Sequence, residues 1–253
     1  MRTRTFRTLA GLVAAATLVV AQKPKSKGEV EAIMAVQSAQ NPDAQVAAVD
    51  NLVTKFADTE FKAWALQQAA AAEQRKGDTA KAIVYAERTI EADAKAFYAI
   101  QAMLLISGEL ARTTREFDLD KEEKLARAEK LAKEAVAGVN TAPKPNPQMT
   151  EDQWTAVKKD EAAEAHKDLG LAAMARKKFD VAITEFKQAV EGAATPDPAD
   201  IVRLASAYDQ AGQPDAAIPL LDKVIGMADA NPTVKKFAEA EKKRAEDIKN
   251  GKK

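Results

Sequence analysis

Few side chains in this sequence are suited to catalysis or metal binding. The 253 residues include one histidine, His166, and no cysteine. Thiolate nucleophiles, disulfides and cysteine metal sites are therefore excluded, and no two histidines can share a metal ion or a proton. The sequence identifies neither a serine nucleophile nor a carboxylate pair for His166, so we interpret it as a structural side chain between helices. The composition predicts a protein that is not an enzyme and has no metal site.

Charge and glycine content argue against nucleic-acid and nucleotide ligands. Lysine plus arginine and aspartate plus glutamate both number 38, which leaves no basic excess for a nucleic-acid backbone. The ten glycines are scattered and form no loop that could cradle a phosphate. We therefore expect no cofactor and no nucleic-acid partner.

The segment at 1–21 has the layout of a secretory signal peptide. In order, it carries arginines at 2, 4 and 7, an uncharged apolar run at 9–20 and the small-residue pattern Val19-Val20-Ala21. The alternative is an uncleaved anchor, but the apolar run falls short of the roughly 20 residues that span a bilayer. We expect cleavage before Gln22 and an exported protein, periplasmic or secreted, with no stable membrane insertion afterwards.

Two matching intervals reveal a repeat in the rest of the chain. Apolar residues make up 46% but aromatics only 5%, and the difference is mostly alanine, which favours closely packed helices. The interval from Ala48 to Ala82 and that from Ala182 to Ala217 are nearly equal, and all four alanines lie on the second helix of a predicted helical hairpin. Both intervals are close to the period of about 34 residues that is typical of one class of helical repeat proteins.

The repeat resembles the tetratricopeptide repeat (TPR) family. That family has a W-x2-L-G-x2-Y first helix and an A-x3-F second helix. Five residues of the fourth unit match: Leu169, Gly170, Ala182, Phe186 and Ala189. The fifth unit matches at Leu204, Tyr208, Gly212 and Ala217, whereas the first three units keep mainly the period and the small residue. The resemblance implies an all-α, right-handed solenoid of about five helical hairpins with a C-terminal capping helix.

The chain divides into four parts on this interpretation. They are a signal peptide at 1–21, units one to three at 22–139, a proline-rich linker at 140–150, and units four and five with the capping helix at 151–253. Prolines at 143, 145 and 147 forbid helix in the linker. Helix starts are predicted at Asn41, Asp197 and Asn231, each followed by proline, and at two capping boxes, Asp120-x-x-Glu123 and Thr150-x-x-Gln153.

The resemblance also implies a binding groove lined by the first helices of the units. Counting from the alanine anchors places seven residues on its surface: Gln37, Trp64, Gln67, Tyr98, Gln101, Lys167 and Arg203. Trp64 and Tyr98 recur one repeat period apart and would suit an apolar anchor. Alternatively, both aromatics pack into neighbouring helices. Only Lys167 and Arg203 approach the family's carboxylate clamp, so recognition of a C-terminal carboxylate is not predicted.

The function predicted from these features is that of a non-catalytic, exported adaptor that binds a protein or peptide partner in its concave groove. The alternative is a structural or assembly factor of the cell envelope, acting with peptidoglycan or outer-membrane machinery. An enzyme would need a convergent acid–base cluster in a pocket.

Overall fold

The computed structural model describes residues 23–251, and every regular element in that range is an α-helix. Residues 1–21, predicted to be a signal peptide, lie outside the described part of the chain. The helices of the described part are α1 Lys27–Ser38, α2 Pro42–Lys55, α3 Lys62–Lys76, α4 Thr79–Ala92, α5 Phe97–Thr113, α6 Lys121–Val139, α7 Glu151–Ala175, α8 Phe179–Gly192, α9 Pro198–Gln210, α10 Pro214–Gly226 and α11 Pro232–Lys249.

Consecutive helices pair as hairpins, from α1 with α2 to α9 with α10, and α11 packs on the last pair. Each second helix also contacts the first helix of the next hairpin. First helices touch one another as well, α1 with α3, α3 with α5, α5 with α7, and α9 with α11. The prediction of five hairpins closed by a capping helix is confirmed.

Small residues on the second helices explain how the hairpins pack so closely. Ala82, Ala182 and Ala217 are fully buried, whereas Ala48 in the first hairpin is only partly buried. In the fourth hairpin, Phe186 of α8 lies against Gly170 of α7, where an added Cβ would fall 2.6 Å from the ring. Glycine at 170 therefore makes room for the aromatic ring of the partner helix.

Most of the predicted helix starts are confirmed. The side chains of Asn41, Asp197 and Asn231 accept hydrogen bonds from backbone amides in the first turns of α2, α9 and α11, and Thr150 with Gln153 forms the reciprocal box. Helix α6 begins directly after Asp120 as predicted, but the predicted capping box does not form there. The backbone of Asp120, at φ −100° and ψ 18°, is not extended as an N-cap requires, and its carboxylate pairs with Lys124 at 2.9 Å instead.

The 25-residue helix α7 joins the third and fourth hairpins. Its N-terminal half packs on α5 and α6, and Trp154 meets Phe97 edge to face with ring centroids 5.2 Å apart. The chain at 140–150 contains no helix and leads from α6 directly into α7. The two hairpins thus share a hydrophobic cluster as well as the connecting segment.

Candidate functional site

The row of first helices carries all seven residues that the sequence predicts for the groove. Gln37 lies on α1, Trp64 and Gln67 on α3, Tyr98 and Gln101 on α5, Lys167 on α7, and Arg203 on α9. We call the surface presented by α1, α3, α5, α7 and α9 the inner row. Gln37 is exposed, and the other six are partly or fully buried.

Trp64 and Tyr98, the two aromatic residues predicted for the groove, are half-buried. Trp64 packs against the hydrophobic cluster of α1 to α6 and meets Phe61 edge to face at 6.4 Å. Tyr98 meets Phe97 in the same way at 6.3 Å, and burial raises the pKa of its hydroxyl to about 12. Each ring therefore contacts an aromatic neighbour close in sequence and keeps part of its surface exposed. Trp64 and Tyr98 therefore pack against neighbouring side chains and also remain partly exposed, so each of the two alternatives given for them holds in part.

Gln67 and Gln101 differ in how their amides are used. Gln101 donates from Nε2 to Glu161 Oε1 on α7 at 3.0 Å. Gln67 is only 8% exposed, and its Oε1 has no hydrogen-bond partner within residues 23–251. A buried acceptor without a donor is costly, so Gln67 retains an unused capacity to accept a hydrogen bond.

The two cations of the inner row are already neutralised. Lys167 donates from Nζ to Glu164 Oε1, and Arg203 donates to Asp200 Oδ1 at 2.6 Å. Each is an i, i+3 pair on its own helix. Neither cation is therefore available to clamp a carboxylate, which agrees with the weak match to that motif in the sequence.

Sequence reasoning missed the acidic side chains among these residues. They are Glu161, Glu164 and Asp168 on α7 and Asp200 on α9. Asp168 is fully buried and accepts a hydrogen bond from Ser107 of α5. Burial raises the pKa of Glu161 and of Asp168 to about 7 and raises that of Asp200 as well. The repeat pattern fixes the packing positions and leaves these ones free, although the i, i+3 spacing of Glu164 and Asp200 from Lys167 and Arg203 could have indicated those two.

His166 links α7 to α8. Its Nδ1 lies 2.7 Å from Glu185 Oε2, and both side chains are largely buried. This contact fits the structural interpretation of the histidine. Along residues 23–251, no group of three or more His, Asp or Glu side chains is placed to hold a metal ion. Over the same residues, no helix combines the length and the apolar character needed to cross a bilayer.

Comparison with known proteins agrees with this geometry. Residues 201–231, which cover α9 and α10, match the sequence profile of the tetratricopeptide repeat. No curated protein sequence matches the chain. Among solved structures, the chain is similar to a thermophilic TPR protein of Thermus thermophilus, with a TM-score of 0.55 and 16% identity over 84% of this chain and 94% of that one. The chain thus contains a tetratricopeptide repeat and has the fold of a TPR solenoid.

Proposed function

We propose that this protein is an exported, non-catalytic adaptor that binds a segment of a partner protein along the inner row. The observation that carries the proposal is the half-buried state of Trp64 and Tyr98 at equivalent places on α3 and α5. Each ring makes an edge-to-face contact with an aromatic neighbour, and each side chain stays partly exposed. Rigid aromatic anchors of this kind dominate the energetics of protein interfaces.

Gln67 supports a polypeptide ligand in particular. Its buried Oε1 lacks a donor within the described chain, and it lies one turn along α3 from Trp64. A peptide offers a backbone N–H at every residue except proline, and an apolar side chain beside it. Gln67 Oε1 is buried in this structure, so a segment that places an apolar side chain on Trp64 could donate a backbone N–H to it only after the Gln67 side chain turns outward. The neutralised Lys167 and Arg203 argue for recognition of an internal segment over a C-terminal carboxylate.

Replacing Trp64 by alanine should weaken partner binding by about tenfold or more, as for an anchor residue. The same change should lower the free energy of unfolding by about 2 kcal/mol, because the indole is only half-buried. The partner is first identified by a photo-crosslinking amino acid placed at Gln37 on α1, with Lys133 on the outer side of α6 as the control position. Its affinity for the folded variants is then measured by calorimetry.

Trp154→Phe is the matched control for this experiment. Trp154 is 5% exposed in the cluster shared by α5, α6 and α7, so its truncation costs stability without altering α3. Wild-type affinity in the Trp154→Phe protein and reduced affinity in Trp64→Ala would support the anchor role. Equal affinity in wild type and Trp64→Ala would refute it, as would crosslinking at Lys133 in place of Gln37.

The proposal of export is supported by the segment at 1–21 and by the position along the chain of the first tertiary contacts. Just after the predicted cleavage site, Lys25 pairs with Asp58 at 2.7 Å, and Glu29 accepts a hydrogen bond from Thr59 at 2.6 Å. These contacts attach the start of α1 to the α2–α3 connection. Cleavage before Gln22 would therefore leave the first stabilising contacts of the solenoid intact.

Protein recovered from the non-cytoplasmic fraction should have the intact mass of a chain that starts at Gln22. Signal peptidase acts on a chain whose apolar run engages the export machinery, so a charge inside that run should prevent processing. In the Leu12→Arg variant we expect the full-length mass and retention in the cytoplasm. A wild-type protein that keeps residues 1–21 and remains in the cytoplasm would overturn the export proposal and leave the adaptor proposal standing, whereas the full-length mass in a membrane fraction would favour the uncleaved anchor.

A further inference from the structure

The contact between α5 and α7 encloses a carboxyl group that is poorly suited to carry a charge. Asp168 is fully buried and accepts a hydrogen bond from Ser107, while its Oδ1 has no hydrogen-bond partner within residues 23–251. A Cβ on Gly108 would lie 3.0 Å from that oxygen, so the carboxyl group rests directly against α5. A carboxylate has room for about four hydrogen bonds, and a buried one with a single donor is strongly disfavoured.

A second carboxyl group lies two helical turns away on the same contact. Glu161 accepts a hydrogen bond from Gln101 of α5, and this is its only one within the described chain. Burial raises the pKa of both Glu161 and Asp168 to about 7, although Gln101 and the nearby Lys167 favour the ionised forms. Both groups thus exchange protons near neutral pH while they hold α7 against α5.

The surrounding charges leave these two groups without an adequate counter-ion. Lys167 Nζ lies 3.8 Å from Asp168 Oδ1 but is also bound to Glu164, whose negative charge acts on both carboxyl groups. Other charged groups on the neighbouring helices have partners of their own: Asp200 pairs with Arg203 on α9, Glu185 of α8 with His166, and Glu122 and Glu129 of α6 with Arg176. Asp160 on α7 adds a further negative charge near Glu161.

We propose that the joint of α7 with α5 is a proton-controlled hinge between the third and fourth hairpins. With Asp168 and Glu161 protonated the joint is closed. Ionisation of the two groups favours local opening, in which water solvates the carboxylates. The chain at 140–150 contains no helix, so the connection into α7 has no helical hydrogen bonds that a movement of α7 would have to break. The hinge would set how the inner row of α1, α3 and α5 is aligned with that of α7 and α9.

The direction of the pH effect follows from proton linkage. In the open joint a solvated Asp or Glu has its ordinary pKa of about 4, whereas in the closed joint the pKa is about 7. Between these values the closed form holds more protons, so each pH unit raises the ratio of open to closed joint by up to about tenfold per carboxyl group. Above pH 7 both forms are ionised and the ratio levels off.

Hydrogen exchange of the wild-type protein at pH 5, 6, 7 and 8 tests the hinge, with each rate divided by the intrinsic rate at that pH. Amides of α5 and of α7 around Glu161 and Asp168 should show an opening constant that rises by at least about tenfold from pH 5 to pH 7 and then levels off. Amides of α2 and α3 serve as the internal reference. In parallel, carboxyl ¹³C titration by NMR should give both groups pKa values well above 5.

Two variants isolate the titrating groups. Asp168→Asn and Glu161→Gln keep the shape of the side chains but remove the titration, so the double variant should show an opening constant that is flat with pH. Glu134→Gln, on the exposed side of α6, should keep the wild-type pH dependence. If NMR places both pKa values below 5, or if the double variant retains the pH dependence, the hinge is excluded. The NMR measurement needs only wild-type protein, so it decides the question even if a variant fails to fold.

Discussion

Replacing Gly170 by alanine should lower the free energy of unfolding by about 2 kcal/mol, although alanine is the better helix former. On propensity alone the change would stabilise α7 by about 1 kcal/mol. The added Cβ, however, would meet three ring carbons of Phe186 at 2.6, 2.7 and 2.9 Å. Carbon atoms in contact prefer about 3.5–4.0 Å, and Phe186 is 1% exposed, so its ring has no free space into which to move.

Urea denaturation of the wild type, Gly170→Ala, Phe186→Leu and the double variant measures this contact directly. In the Phe186→Leu background the ring is gone, so Gly170→Ala should there cost close to nothing, and the coupling free energy should be about 2 kcal/mol. Gly192→Ala is the matched control, because nothing lies within 4 Å of a Cβ at that position near the end of α8. It should be neutral or slightly stabilising. An equal cost of Gly170→Ala in both backgrounds would show that Phe186 is not the cause.

The pair of Gly170 and Phe186 also shows why the fold could be predicted from the sequence. Both belong to one hairpin, well within a single repeat period of each other, and the repeat pattern encodes such contacts directly. The same holds for the alanines at the helix crossings and for the residues that precede proline at helix starts. These features act locally, so period and composition suffice to place five hairpins and a capping helix.

The acidic side chains of α7 could not be predicted in this way. Ser107 is 61 residues from Asp168, and Gln101 is 60 residues from Glu161, each pair in two different hairpins. The repeat pattern constrains the packing positions and leaves the neighbouring ones free. It therefore does not predict which side chains meet where two hairpins pack together. The partners of Lys167 and Arg203 are a different case, because each lies three residues away on the same helix and such i, i+3 charge pairs could have been predicted from the sequence.

The capping helix is attached by a contact of the same kind, and it leads to the second strong prediction. Asp209 of α9 has a fully buried side chain, and Arg244 of α11 places Nε 2.9 Å from its Oδ2. Neither carboxylate oxygen makes a hydrogen bond within residues 23–251. Burial raises the pKa of Asp209, Arg244 opposes that effect, and Glu241 adds to it. The positive charge of Arg244 is therefore the main compensation for a buried negative one.

Replacing Arg244 by methionine should lower the free energy of unfolding by about 2–3 kcal/mol at pH 8. Removing one partner of a fully buried pair costs about 3–5 kcal/mol, and the smaller figure follows because the Arg244 side chain is 46% exposed. Without Arg244 the pKa of Asp209 rises further, so protonation relieves the cost as the pH falls. The destabilisation should shrink at pH 5, because at that pH the folded variant binds a proton at Asp209 that the unfolded chain binds less tightly.

Urea denaturation at pH 5 and pH 8 tests this, with two matched controls. Lys243→Met removes the same charge from an exposed neighbour on α11 and should change stability by less than about 0.5 kcal/mol at either pH. The double variant Arg244→Met/Asp209→Asn removes both charges and should recover most of the loss at pH 8, because no buried carboxylate is left uncompensated. A loss that is equal at both pH values, or that persists in the double variant, would show that Arg244 does not act by compensating the charge of Asp209. The capping helix would then be held by the apolar contacts of Ala238 and Ala245 and by the ion pairs of Lys242 with Asp222 and of Lys249 with Asp215.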